Sequence, residues 1–305
     1  MLQVNENSHP DLFTSLKGGS NNFGIVTRFD LKTFPLGHFW GGQFVYPGTT
    51  LPAQLQAFYN FVDSSDLATM GNPESILAYV TGYFGGTSPS SIVANYLTFT
   101  LPQAYPPIFD EFVSIQPLLT NSSRISNLTD FAIELETGTP NGQRYLFGTA
   151  TFANDLDFLH FVTNASDGSF NALFAANVAD LQVSTVFQPL TKSMLAPGCG
   201  KNALGLCPGD GNLVILDLTI QWEDSNDDTS VNNAARSFIN EVASEASKRN
   251  VYNEYIYLNY ALQSQDPLAS YGSQSLEAMR EASRKYDPRQ VFQKQVPGGF
   301  KLWRE

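Results

Sequence analysis

The stretch NLVILDLTIQW, residues 212–222, alternates with period two. Val214, Leu216, Leu218, Ile220 and Trp222 make one apolar face, while Asp217, Thr219 and Gln221 point the other way. Successive side chains of a strand project to opposite faces, so this is a β-strand with two chemically different sides. A sheet built on it offers one side for helices to cover. Its other side carries polar groups, which suits a ligand-facing surface or plain solvent. Alternation alone leaves those two open.

Working outward, residues 23–34 read as a strand with Ile25, Thr27, Phe29 and Leu31 on one face. Further strands are expected at 40–46, 75–83, 92–101, 143–152 and 181–188. Residues 255–260 read as a short aromatic strand, with Tyr255, Tyr257 and Asn259 on one face. Helical spacing appears at 51–62, briefly at 107–118, and most clearly at 230–248. There Val231, Ala235, Phe238, Val242 and Ala246 form one stripe. A last helix, 275–286, is stopped by Asp287-Pro288. No repeat or low-complexity linker interrupts the pattern. The class is α+β: an antiparallel sheet with helices segregated to one face.

The 305 residues are 42% hydrophobic, enough for a substantial core. The net charge of −12 argues against nucleic acid, because phosphate contacts need clustered Lys and Arg. No apolar run reaches the roughly 18 residues that span a bilayer. Charged residues are only 15%, a balance common in secreted proteins. Sequons occur at Asn121, Asn127 and Asn164, yet the first ten residues, MLQVNENSHP, carry no apolar signal core. Cys199 and Cys207 lie eight apart in a Gly/Pro-rich loop, where a local disulfide is possible in an oxidising compartment.

The usual nucleophilic chemistry has little support. His9, His38 and His160 sit in no metal or hydrolase motif, and no Gly-x-Ser-x-Gly elbow occurs. The acidic run EDSNDD, 223–228, reads as a solvated turn with helix-capping acids. It lacks the glycine and terminal glutamate of a calcium loop, and no metal is expected. Glycines cluster in KGGSNNFGIVT, 17–27, ahead of an expected strand. A dinucleotide fingerprint needs strand, glycines, then helix, so a Rossmann site is not expected. The glycines either let a backbone approach a ligand or simply make a turn.

Together, several segments resemble one family. NENSHPDLFTSLKGGSNNFGIVTRFDL, 5–31, is similar to the NPDLFWALRGGGGNFGIVT segment of FAD-linked oxidases related to berberine bridge enzyme. YLNYA (257–261), YG (271–272), KYDPRQVFQ (285–293) and KNALGL (201–206) are similar to parts of that family, and VPGGFKL (296–302) resembles its fungal members.

The resemblance implies three parts. Residues 1–39 and the berberine-bridge module 251–305 would be remnants of the FAD-binding (PCMH-type) domain at both ends. Residues 40–250 would be the substrate domain. FAD would lie against Gly18, Gly19, Asn22 and Gly24, with Asn259 and Tyr260 by its flavin ring and Tyr257 as catalytic base. Tyr145, Gln188 and Gln221 are the substrate-wall candidates. Neither His9 nor Cys199 sits in a flavin-tethering motif, and most of the family's FAD domain is absent from these 305 residues. The implied reaction is oxidation of an alcohol, amine or sugar-like small molecule by hydride transfer to flavin, with dioxygen as acceptor. The alternative is a non-redox ligand-binding protein or cyclase derived from that family. Secretion is expected if the complete protein carries a signal peptide.

Overall fold

The alternating stretches do assemble into one sheet. The structure, a computed structural model, describes residues 1–64, 76–85, 91–136 and 140–303. Ser75, the first residue of one expected strand, lies outside them. The strands are β1 (Phe39–Pro47), β2 (Ile76–Gly85), β3 (Ile92–Phe99), β4 (Thr120–Asn121), β5 (Arg124–Ser126), β6 (Arg144–Ala153), β7 (Gln182–Leu190), β8 (Leu213–Trp222) and β9 (Tyr252–Asn253). They form a nine-stranded sheet in the order β4-β1-β3-β2-β7-β8-β6-β9, with β5 also pairing β1. The ladders are antiparallel.

The helices are α1 (Pro10–Leu16), α2 (Leu51–Asp63), α3 (Asp110–Val113), α4 (Leu128–Glu136), α5 (Leu156–Ala175), α6 (Lys192–Leu195), α7 (Asp228–Lys248), α8 (Ser273–Tyr286) and α9 (Val291–Lys294). Among the described residues, no helix is long and apolar enough to cross a membrane. The α7 stripe is buried as its spacing demands, with Ile239 added to the five expected residues. It packs with α2 and α5 against Val214, Leu216, Leu218, Ile220 and Trp222 of β8, forming the larger core. A second core joins Leu12, Phe23, Leu206, Leu213, Ile215, Tyr255, Tyr271, Met279 and Leu302. Segments near both termini thus pack on the polar side of the sheet. Leu206 and Leu213 join them, so packing cuts across the boundary expected at residue 250.

Three expectations need correction. Residues 24–38 form no regular element. Ile25, Phe29 and Leu31 are 73–82% exposed. Alternation specifies faces, but a strand needs a ladder partner, and none of the described strands offers one. Helix at 107–118 shrinks to a 3-10 turn (Pro107–Phe109) followed by α3. The aromatic strand at 255–260 is also missing: β9 stops at Asn253, and Leu258–Tyr260 is a 3-10 turn.

The reason lies at the edge of β6. β9 pairs only with Thr151 and Phe152. At Thr149 the edge is completed by the Gln265 carboxamide, whose Nε2 donates to Thr149 O at 2.7 Å. Its Oε1 accepts from Thr149 N at 3.3 Å and Leu262 N at 2.9 Å. A side-chain amide takes the place of a strand there.

Candidate active site

The polar face of β8 is only half open. Ile215 and Leu213 are covered by the second core. Asp217 lies next along the strand at 7% exposure, and Gln221 is 6% exposed. Between them Thr219 remains partly exposed. The solvent reading of this face therefore fails at Asp217 and Gln221. Directly opposite Asp217 stand Thr149 of β6 and Val186 of β7; opposite Thr219 stand Phe147 and Ser184.

The turn at 257–261 lies over this region. Tyr260 stacks on Phe147, with ring centroids 5.9 Å apart and 17° between planes. Tyr257 meets Tyr260 edge-on at 4.8 Å. Gln188 Nε2 donates to the Tyr260 hydroxyl at 3.0 Å, and Asn259 Nδ2 donates to the Tyr257 hydroxyl at 2.8 Å. Phe147 keeps 40% of its surface exposed, so an aromatic shelf faces outward.

Burial pushes the Asp217 carboxyl up to about 7, only partly offset by the Thr219 hydroxyl that donates to it at 3.4 Å. Burial also raises the Tyr260 phenol. The Gln188 hydrogen bond opposes that rise, and the Asp217 carboxylate adds to it. The site thus pairs a carboxyl poised between its two states near neutrality with a phenol that keeps its proton. A carboxyl so tuned, near partly exposed aromatic rings, is a candidate acid or base.

The glycine run behaves differently from an open cradle. A Cβ on Gly19 would sit 2.4 Å from the Phe23 ring, and one on Gly18 2.8 Å from Leu204. Both glycines permit close packing of the chain on itself. Asn22 is fully buried. Its Nδ2 donates to Gly19 O at 2.8 Å and Phe300 O at 2.9 Å, and its Oδ1 accepts from Gln293 Nε2 at 3.0 Å. It staples the turn to the C-terminal segment. Gly24 alone of the three glycines has open space where a Cβ would be.

Beside that staple lies a groove of about 500 Å³ lined by Ala261, Gln263, Gly298, Gly299, Phe300, Lys301 and Trp303. It adjoins the turn carrying Tyr260. Its wall combines apolar rings, a glycine pair in the left-handed region and one cation, Lys301, which donates to Asn21 Oδ1 at 3.3 Å. Planar apolar surface, approachable backbone and a positive charge suit a flavin with its phosphate-bearing tail, so these residues fit FAD.

The structure thus brings together Tyr257, Asn259, Tyr260 and Gln188. It leaves Tyr145 and Gln221, cross-strand neighbours, about 13 Å away along β8, four residues beyond Asp217. The Tyr145 hydroxyl donates to Pro140 O at 3.0 Å. Tyr255, expected on the Tyr257 face, is buried against Tyr271 instead. Sequence reasoning placed Asp217 on the polar face but gave it no role. The available signal was a lone carboxylate inside an otherwise apolar buried strand, a position that burial makes costly.

No family profile matches the chain. It is 34% identical over 307 residues to an FAD-dependent monooxygenase of Emericella nidulans, covering 99% of this chain and 62% of that protein. It is 33% identical over 320 residues to an FAD-dependent monooxygenase of Fusarium proliferatum, covering 99% of this chain and 59% of that protein. The chain thus spans about three fifths of the length of these relatives. Among solved structures it superposes with TM-score 0.65 and 14% identity on the glucooligosaccharide oxidase of Acremonium strictum, which is described with 6-S-cysteinyl, 8α-N1-histidyl FAD. That match covers 94% of this chain and 61% of the oxidase. The fold is therefore that of FAD-linked oxidases.

Proposed function

We propose that this chain is the substrate-facing part of an FAD-linked oxidoreductase of the berberine bridge enzyme type. On this reading residues 40–250 roof the substrate, and residues 1–39 and 251–305 belong with the flavin domain. Its substrate is an alcohol, amine or sugar-like small molecule, with dioxygen as acceptor. The observation that carries it is the Asp217 carboxyl, held near neutrality beside the Tyr260 aromatic shelf. The FAD-dependent names of the relatives support the cofactor.

Gly24, Gly298, Lys301, Trp303 and the backbone at Asn259–Ala261 would hold FAD, while Asn22, Gly18 and Gly19 brace that wall from behind. When bound, FAD supplies a two-electron acceptor that dioxygen can reoxidise. The chain's own task is the proton. Oxidising a C–OH or C–NH centre releases the proton on O or N, and Asp217 Oδ takes it, being ionised in part at neutral pH. Phe147 and Tyr260 stack on the substrate, and Gln188 orients the Tyr260 hydroxyl. Tyr257, whose hydroxyl oxygen accepts from Asn259 Nδ2, hydrogen-bonds the substrate and orients its O–H or N–H toward Asp217. Tyr145 and Gln221 bound the far end of the cleft.

The test is peroxide release from a panel of alcohols, amines and oligosaccharides by the complete FAD-loaded gene product. Asp217→Asn should cut the rate by about 10²–10⁴ and remove the pH-rate limb near neutrality. An unchanged rate in both Asp217→Asn and Tyr257→Phe would sink the assignment.

A further inference from the structure

The sheet ends at β1 with two very short strands, β4 and β5, and the helix α4 that follows them. Beside the ion pairs of Arg124 with Asp130 and Glu134, this edge exposes a row of aliphatic side chains. Leu119, Ile125, Leu128, Ile133 and Leu135 are 46–60% exposed, and α4 buries no residue. Short strands blunt an open edge, but five exposed aliphatic side chains remain an invitation to aggregate. Two of the chain's three sequons, Asn121-Ser-Ser123 and Asn127-Leu-Thr129, bracket that edge. Both asparagines are exposed, as is Asn164 on α5.

We propose that Asn121 and Asn127 carry N-linked oligosaccharides that shield this apolar edge. Asn164 is a third acceptor, remote from it. The transfer is from an oligosaccharide on a lipid pyrophosphate. A bond forms between the first sugar carbon and Asn Nδ2, the carbon–oxygen bond to pyrophosphate breaks, and Nδ2 gives up one proton. The local hydrogen bonds tolerate this. Asn127 caps α4 through Oδ1, which accepts from Asp130 N at 3.1 Å; attachment at Nδ2 leaves that acceptor intact. Asn121 Oδ1 accepts from Ser123 N at 2.8 Å, and its Nδ2 keeps one N–H for the Tyr105 hydroxyl at 3.2 Å. A separate feature points to the same compartment: Cys199 and Cys207 are joined in a disulfide, which persists where the surroundings are oxidising. The low charged fraction agrees with it.

The experiment is peptide mass mapping of the protein from the cells that make it, before and after peptide N-glycosidase, which converts a glycosylated Asn to Asp. Conversion at positions 121, 127 and 164 is the expected result. Unmodified Asn121 and Asn127 peptides overturn the proposal. Shielding is read separately from light-scattering onset on heating. The double variant Ser123→Ala/Thr129→Ala, which abolishes both sequons and keeps both asparagines with the α4 cap, should aggregate several degrees earlier than the parent, and Asn164→Gln should match the parent. Equal onset in all three overturns the shielding role. Neither readout depends on oxidase activity.

Discussion

Replacing Asp217 by Asn removes a buried ionisable group while keeping its shape. In the folded chain the carboxyl titrates near 7; in the unfolded chain it titrates at about 3.9. Between those values the native state holds a proton that the unfolded state has released. The stability contributed by this group is therefore full below about pH 4 and is lost as pH rises through about 7. From about pH 5 to about pH 8 the loss integrates to about 2–3 kcal/mol. Asp217→Asn has no such loss. The variant's advantage over the parent should grow by about 2–3 kcal/mol between about pH 5 and about pH 8, roughly 5 °C in Tm for a chain of this size. Paired thermal or urea unfolding at several pH values measures the difference, and groups common to both proteins cancel. A difference that stays flat with pH refutes the reasoning. A variant that weakens on the alkaline side shows instead that the Asp217 anion is held by a partner.

Asn22→Leu should cost about 2–4 kcal/mol in urea unfolding, because it strands Gly19 O and Phe300 O and leaves Gln293 Nε2 only its bond to the Asn22 backbone oxygen; an unchanged midpoint would show that the staple is dispensable. Gln265→Leu should speed hydrogen exchange at the Thr149 and Leu262 amides about tenfold or more, since each loses the bond made to Oε1. Unaltered protection at both would mean that the strand edge is closed without it.

The periodicity of β8 and α7 was readable because each buries a full apolar face, and burial is what periodicity encodes. The segments at 23–34 and 255–260 show the same alternation and form no strands. Pairing partners are distant in sequence, and nothing in IVTRFDL or YIYLNY names them. In the site, the sequence pointed to the turn bearing Tyr257, Asn259 and Tyr260. It did not distinguish Gln188, which reaches that turn, from Gln221, which pairs across the ladder with Tyr145 four residues beyond Asp217. Both glutamines look alike until strand order and register are known.

By itself the sequence determined the α+β class, the main helices and strands, and the family likeness. These depend on local spacing and on residue identity. Only the tertiary structure decided that Asp217 is buried near Tyr260, that Gly18 and Gly19 pack against Leu204 and Phe23, and that Asn22 ties its turn to the C-terminal segment. It also decided that Gln265 stands in for a strand. Burial and hydrogen bonding in these places come from segments more than a hundred residues apart, such as Thr149 with Gln265 and Asn22 with Phe300. A carboxyl's proton affinity depends on the dielectric those segments create around it.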